Sequence, residues 1–257
     1  QNTQAFCSWR SLEEAINLTM ITTVFFDLYN TLVHFDPPPE YLQQEACRKL
    51  GIEIDVELAR EGYVAADRLM AKQNSVLPLN TLSREERRIF FGEYERIILQ
   101  AAGVDVTASE ALDIFRSVQR LPRGLAVFSD TIACLQALQE QDISTGLITN
   151  MDESIQDRGD VESLCRDLGI RGFLDVIVTS TSAGVAKPDP AIFQMGLDAV
   201  HAVASESVHV GDQLLSDIDG AERAGIMPVL LDRQDSYEGL VECYRISSLG
   251  SLTTLLG

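Results

Sequence analysis

The sequence lacks long apolar runs, paired cysteines and an excess of basic residues. No apolar stretch approaches the roughly 20 residues that span a membrane, and the polar first 19 residues do not have the pattern of a signal peptide. The five cysteines are scattered, without a Cys-x-x-Cys pair, as is typical of reduced intracellular proteins. We therefore expect a cytoplasmic protein with buried thiols and no membrane partner.

Basic residues are scarce relative to acidic ones. The chain has 20 lysines and arginines against 39 acidic residues, which gives a formal net charge of -19. A surface of this charge repels nucleic acids, so we expect no nucleic-acid partner. It also repels a phosphorylated substrate at long range, so any site for an anion must supply positive charge locally.

Hydrophobic residues make up 46% of the 257 positions, which is sufficient for one large domain with an insert. The segment Thr22–Phe26 is rich in β-forming residues and predicts a buried strand. Three prolines, Pro37–Pro39, then break the chain, and the pattern changes to helical periodicity. Four amphipathic helices are expected before Pro122, two of them opened by capping boxes in the stretches "SREE" and "TASE".

From Ala126 onward, helical and strand patterns alternate with short links, which indicates a parallel sheet covered by helices on both faces. The predicted fold class is therefore α/β, with a Rossmann-like core and an inserted α-helical cap. We assign residues 20–35 and 122–257 to the core, residues 36–121 to the cap, and residues 1–19 to an N-terminal extension.

Four polar stretches lie at or beside the carboxyl ends of predicted strands: "FFDLYNT", "GLITN", "GVAKPDP" and "HVGDQLLSD". In open α/β sheets, this edge is where ligands bind. Each stretch alone is compatible with a simple turn, but their order along the chain and their shared edge favour a common site. Asn30, in the first stretch, is expected to take the left-handed conformation.

The order of these stretches, over about residues 21–232, resembles the haloacid dehalogenase (HAD) superfamily, in its branch with a helical cap after the first motif. The resemblance implies a hydrolase in which Asp27 is the nucleophile and forms a covalent intermediate that water then hydrolyses. It implies catalytic roles for Thr149 and Lys187 as well. Thr31, Asn150 and Tyr29 are expected to contact the substrate.

The same resemblance implies a Mg²⁺ site built from Asp27, Asp212 and the backbone carbonyl of Tyr29, with Asp217 supporting the metal or fixing Lys187. Counting charges supports a cation, because three carboxylates and a phosphate dianion face a single lysine. Such crowding would raise the pKa values of the carboxylates and weaken the nucleophile. A few carboxylates with substrate oxygens and waters is the usual arrangement around Mg²⁺.

Tyr29 departs from the pattern of the superfamily's phosphatases. In those enzymes a second aspartate stands at that position and acts as general acid and base. A neutral phenol performs the base half of that task poorly. A tyrosine there resembles instead the 2-haloacid dehalogenases, which use no metal and need an arginine from the cap; Arg48, Arg60 and Arg68 are candidates. Those enzymes, however, usually lack the acid that Asp212 supplies here.

Three functions therefore stay open at this point. The first choice is a Mg²⁺-dependent phosphatase acting on a small phosphorylated metabolite. The alternatives are a metal-independent 2-haloacid dehalogenase and a non-catalytic binding or regulatory protein. Fold alone does not separate them, and the sequence predicts no oligomeric state.

Overall fold

A computed structural model describes residues 20–150, 160–235, 237 and 243–256. The predicted N-terminal extension and Cys7 lie outside the described residues. Of the other cysteines, Cys47, Cys134 and Cys165 are buried free thiols and Cys243 is a half-buried one. This agrees with the expectation of buried, unpaired thiols.

The described residues form eight strands: β1 (Thr23–Phe26), β2 (Val33–Asp36), β3 (Gly124–Val127), β4 (Ser144–Thr149), β5 (Val176–Thr179), β6 (Ser207–Gly211), β7 (Met227–Leu231) and β8 (Tyr244–Ile246). Six of them form a parallel sheet in the order β5-β4-β1-β6-β7-β8, and β2 and β3 form a separate antiparallel pair. The predicted α/β class with a parallel, Rossmann-like sheet is confirmed.

Helices cover both faces of the sheet and fill the segment between β2 and β3. The α-helices of the described residues are α1 (Pro39–Lys49), α2 (Val56–Val76), α3 (Arg84–Ala101), α4 (Ala108–Gln119), α5 (Thr131–Glu140), α6 (Val161–Asp167), α7 (Ser180–Ala183), α8 (Pro190–Ala199), α9 (Asp219–Arg223) and α10 (Leu249–Leu256). A π-helical turn, Leu214–Ile218, precedes α9.

Strand β1 occupies the centre of the sheet and is buried on both faces. Phe26 belongs to one apolar cluster, together with Leu147, and Phe25 belongs to the cluster on the other face, together with Phe193. A central parallel strand covered on both sides reads as a continuous apolar run, which is why "TVFF" was recognisable as a strand.

Helices α1–α4, called the cap helices below, follow the predicted pattern. Ser83 and Glu86 form a capping box at the start of α3, and Thr107 and Glu110 form another at the start of α4. The side chain of Asp55 accepts two backbone N–H groups at the start of α2. The assignment of residues 36–121 to a domain distinct from residues 20–35 and 122–257 stays a prediction.

The pair β2–β3 was not predicted. It joins the two connections between the sheet and the cap helices, with Val33 opposite Val127 and Asp36 opposite Gly124. The chain therefore enters and leaves the cap helices at neighbouring points. Among the described residues, no helix is both long enough and apolar enough to cross a bilayer.

Candidate active site

The turn after β1 presents Asp27 at the carboxyl edge of the sheet. The Asp27 amide continues the strand ladder by donating to the Val210 carbonyl at 2.9 Å. The chain then reverses, with the amides of Leu32 and Val33 both donating to the Leu28 carbonyl. Asn30 has a φ of 57°, the expected left-handed conformation, and this allows the tight turn to form.

Lys187 binds two carboxylates in the interior. Its Nζ lies 2.6 Å from Asp27 Oδ1 and 2.6 Å from Asp217 Oδ1, and the residue is only 2% exposed. Burial lowers the pKa of Lys187, but the two carboxylates outweigh this effect and raise it above its usual value, so the ammonium is charged. The structure thus joins the first, third and fourth predicted motifs.

Burial raises the pKa of Asp27 to about 6, although Lys187 opposes this change and Asp217 adds to it. For Asp217, burial acts in the same direction, but Lys187 and His209 outweigh it and hold the pKa below its usual value. Near neutral pH both groups are therefore largely ionised. The ionised form that Asp27 would need as a nucleophile is available without a separate base.

Asp217 is held on both carboxylate oxygens. Oδ1 is shared by Lys187 and His209 Nε2, the latter at 3.1 Å, and Oδ2 accepts the backbone N–H of Gln213 at 3.0 Å. The carboxyl group packs so closely on Gly211 that a Cβ there would lie 2.2 Å from Asp217 Cγ. This arrangement favours a role for Asp217 in orienting Lys187.

Asp212 lies at the start of the loop after β6 and has no lysine or arginine partner among the described residues. It accepts Asn30 Nδ2 at 3.3 Å. Burial and then the charges of Asp27, Asp217 and Asp67 raise its pKa well above the usual value. Ligand oxygens of Asp27, Asp212 and Asp217 lie within 4.8 Å of one another, so the carboxylates are close enough to share one cation.

The other predicted residues lie nearby. The side-chain amide of Asn150 forms two hydrogen bonds with the Lys187 backbone, at 2.8 Å to the N–H and 3.1 Å to the carbonyl, and it also lines the cavity described next. Thr31 and Thr149 are buried and do not line that cavity. The Thr31 hydroxyl is without a hydrogen-bond partner among the described residues, and the Thr149 hydroxyl donates to the Asn150 carbonyl at 3.4 Å. Their predicted contacts with substrate stay predictions.

A cavity of about 1190 Å³ separates the carboxylate cluster from the cap helices. Asp27, Lys187, Asp212 and the half-buried ring of Tyr29 line it from the core side. Of the three candidate arginines, Arg60 and Arg68 also line it. Arg48 does not, and its side chain is 68% exposed and paired with Glu45.

Sequence reasoning missed two residues near the site. His209 was given no role, yet it is fully buried and hydrogen-bonded to Asp217; its place in an otherwise apolar strand was a signal, because buried polar groups need partners. Arg233 donates to both oxygens of Asp130 at 2.9 Å and to the Thr31 carbonyl at 3.0 Å. No sequence pattern marked Arg233.

Comparison with known proteins finds similarity to phosphatases and to a dehalogenase. A ribulose-1,5-bisphosphate 5-phosphatase from Halopiger xanaduensis is 29% identical over 253 residues, covering 92% of this chain and 100% of the relative. Among solved structures, a HAD phosphatase from Thermococcus onnurineus is 22% identical, covers 92% of this chain and 98% of the other, and has a TM-score of 0.56. A 2-haloacid dehalogenase from Pseudomonas syringae pv. Tomato DC3000 is 25% identical, with the same two coverages and a TM-score of 0.52.

A family model described as haloacid dehalogenase-like hydrolase matches residues 21–225. That range includes all four motifs and the whole carboxylate cluster around Lys187. The predicted superfamily and enzyme class are confirmed: the chain belongs to the haloacid dehalogenase-like hydrolases.

Proposed function

We propose that the protein is a Mg²⁺-dependent phosphatase that hydrolyses a small phosphorylated organic molecule through a phosphorylated Asp27. The observation that carries this proposal is the position of Asp212. Its carboxylate lies beside Asp27 in a crowded acidic site and is not neutralised by any described lysine or arginine. A displacement of halide needs no such acid, whereas a metal-dependent phosphoryl transfer does.

The residues present fit a hard divalent cation. Mg²⁺ prefers oxygen ligands and usually takes one or two carboxylates together with substrate oxygens and waters. Asp27 and Asp212 would bind it directly, together with the Tyr29 carbonyl. Asp217, whose two oxygens already accept three hydrogen bonds, would support the site through Lys187. A bound Mg²⁺ would neutralise charge on the phosphoryl oxygens and on the carboxylates.

In the first step, a carboxylate oxygen of Asp27 attacks phosphorus, a new O–P bond forms, and the bond from phosphorus to the leaving oxygen breaks. The leaving oxygen takes a proton from water. In the second step, water attacks phosphorus, inorganic phosphate leaves and the Asp27 carboxylate is regenerated. Lys187 keeps Asp27 oriented and supplies positive charge beside the transferring group, which is the main requirement of a loose transition state.

The named relative from Halopiger xanaduensis supports a phosphorylated sugar as the substrate class. A cytoplasmic location fits such a metabolite and the free thiols. The cap helices would exclude water and select the substrate from above the reacting group.

Tyr29 favours a second candidate, the metal-independent 2-haloacid dehalogenase, and the Pseudomonas syringae structure supports it. Arg60 is a poor halide ligand here because Glu40 and Glu57 already pair with it. Arg68, the other candidate arginine at the cavity, packs over the ring of Tyr237, with 5.7 Å between the guanidinium carbon and the ring centroid.

Hydrolysis of an aryl phosphate and of 2-chloropropionate, each measured with Mg²⁺ and with a chelator, separates the candidates. Phosphate release that requires Mg²⁺ supports the proposal. Chloride release that persists in the chelator supports the dehalogenase. Absence of both activities, with a broad panel of phosphorylated metabolites also inert, leaves the non-catalytic role.

A further inference from the structure

Three polar side chains from three different cap helices meet at the wall of the large cavity. Gln43 comes from α1, Tyr63 from α2 and Glu95 from α3. Tyr63 and Glu95 line the cavity, and Gln43 lies behind them, fully buried. No sequence pattern indicates this cluster, because the three residues are far apart along the chain.

The hydrogen bonds of the cluster determine which oxygen of Glu95 is available to a ligand. The Tyr63 hydroxyl donates to Gln43 Oε1 at 3.0 Å, and Gln43 Nε2 donates to Glu95 Oε1 in a short hydrogen bond. A tyrosine hydroxyl that donates to the amide oxygen leaves the amide nitrogen facing the carboxyl group. Gln43 thereby holds Glu95 by one oxygen, and the acceptor capacity of the second oxygen is left for another donor.

Glu95 is a buried acid without a cation on the cap side of the cavity. It is 1% exposed, and among the described residues no lysine, arginine or histidine forms an ion pair with it. Glu40 on the same wall is paired with Arg60 at 2.8 Å, and Asp67 accepts the Tyr94 hydroxyl at 2.7 Å. Burying a carboxyl group with a single donor is costly, and burial raises its pKa to about 7.

The chemistry of this wall favours a neutral ligand group that carries hydrogen-bond donors. A second phosphate placed against Glu95 would meet negative charge and no free positive group within the cluster. A hydroxyl group, in contrast, can donate to the free oxygen of Glu95 and accept from a neighbour. The cavity of about 1190 Å³ also exceeds what a phosphate group fills, which leaves room for an organic part that reaches from Asp27 to the cap.

We propose that Glu95, positioned by Gln43 and Tyr63, binds a hydroxyl group of the substrate and makes the enzyme selective for phosphomonoesters of polyhydroxylated compounds. This inference rests on the proposed phosphatase function and assigns the part of the substrate that the catalytic cluster does not touch. Glu95 is in this role a specificity-determining residue.

The test compares hydroxylated substrates with alkyl counterparts of the same length, for example pentose 5-phosphates with pentyl phosphate and glycerol 3-phosphate with propyl phosphate. An aryl phosphate serves as a substrate without hydroxyl groups. The variant Glu95→Gln keeps the shape and the hydrogen bond from Gln43 but replaces the free acceptor by a donor. Glu93→Gln, two residues away on the same helix and paired with Arg96 on the surface, is the matched control.

We expect the wild type to prefer at least one hydroxylated ester over its alkyl counterpart. At pH 8, above the pKa of Glu95, Glu95→Gln should raise the KM for that ester by about tenfold, the size expected when a hydrogen bond to a charged group becomes one to a neutral group. The kcat should stay within about twofold, and the aryl phosphate and the control variant should be unaffected. An unchanged ratio of hydroxylated to alkyl ester in Glu95→Gln would overturn the proposal, as would a wild-type preference for every alkyl ester.

Two additions keep the result decisive. If Glu95→Gln does not fold, Tyr63→Phe removes the hydroxyl that orients Gln43 and should reduce the same selectivity by about threefold; unchanged selectivity in it overturns the proposal.

If the wild type hydrolyses no phosphate at all, the proposed function fails, and calorimetry with the same esters and Asp27→Asn decides about the subsite separately. Equal binding by Asp27→Asn and by Asp27→Asn with Glu95→Gln, or no binding of any hydroxylated ester, overturns it.

Discussion

The ring of Tyr29 stacks on the ring of Phe35, with 5.7 Å between the centroids and 10° between the planes. Tyr29 follows the proposed nucleophile Asp27 by two positions, and Phe35 lies in β2, the strand that leads to the cap helices. The stack keeps the tyrosine ring against the start of the cap rather than free above the reacting carboxylate. The residue that departs from the phosphatase pattern is therefore tied to the wall of the substrate cavity.

Replacing Tyr29 with aspartate should increase Mg²⁺-dependent hydrolysis of alkyl phosphates, because it restores a general acid and base. A positioned group of this kind typically contributes about 10²–10⁴-fold, so we expect part of that gain. Aryl phosphates should gain less, since their leaving groups need little protonation. Steady-state rates with one alkyl and one aryl ester measure the effect.

Tyr29→Phe is the matched control, because it keeps the stack on Phe35 and removes only the hydroxyl. Its activity should stay close to that of the wild type. A folded, metal-binding Tyr29→Asp variant without any gain would assign Tyr29 to the substrate pocket, as the dehalogenase alternative requires.

Asp27→Asn should abolish turnover while the protein stays folded. An amide does not attack phosphorus, so we expect a loss of about 10⁴-fold or more. Phosphate release measured with the best substrate of the wild type checks this, and thermal unfolding checks the fold. Turnover within tenfold of wild type would remove Asp27 from the mechanism; Asp113→Asn, an exposed change on α4, should leave the rate unchanged.

Asp212→Asn should weaken Mg²⁺ binding, since it removes one of the two carboxylates proposed as direct ligands. It should also raise the melting temperature in a chelator, because a half-buried carboxyl group that is repelled by Asp27 and Asp217 is lost. Calorimetry with Mg²⁺ and melting curves with and without the metal measure both effects. Equal Mg²⁺ affinity in variant and wild type contradicts the metal site and favours the dehalogenase.

Glu95→Gln should change how stability depends on pH. Burial raises the pKa of Glu95 from 4.5 to about 7 in the folded protein, so the unfolded chain releases its proton at lower pH than the folded protein does. The wild type therefore loses stability as the pH rises from about 4.5 to about 7, by up to about 3 kcal/mol from this group. The variant does not titrate there and should be the more stable protein at pH 8, with the difference shrinking toward pH 4.5.

Melting temperatures of both proteins across this range provide the measurement. Glu93→Gln should show no such gain, because the guanidinium of Arg96 lowers the pKa of Glu93. A difference between Glu95→Gln and wild type that is constant from pH 5 to pH 8 would mean that Glu95 does not titrate in this interval.

Much of the fold was predictable because local signals agreed with the final packing. The prolines at 37–39, the capping residues Ser83 and Thr107, and the apolar run before Asp27 each acted within a few residues of chain. The pair β2–β3 was missed because its two strands are short and lie about 90 residues apart, so only tertiary pairing defines them. Strand β8 was missed because "YRI" is too short to show a periodic pattern.

The residues of the candidate site likewise fall into those that the sequence could group and those that it could not. Asp27, Lys187 and Asp212 follow strands that share one sheet edge, so topology brings them together and sequence order was enough to group them. His209 and Glu95 are buried side chains whose hydrogen-bond partners lie on other elements, eight and 52 residues away along the chain. Their partners, Asp217 and Gln43, could be identified only once the helices and strands had been placed against one another.

The antiparallel pair β2–β3 brings the two ends of the cap segment side by side, since Asp36 lies opposite Gly124. The segment is thus an insertion whose two ends connect to the parallel sheet at one place. Chain of very different length, from a tight hairpin to another helical bundle, can be inserted between those two positions while the strands that carry Asp27, Lys187 and Asp212 keep their register. If the cap helices select the substrate as proposed, we therefore expect that selection and the chemistry at the sheet edge can be changed independently of each other.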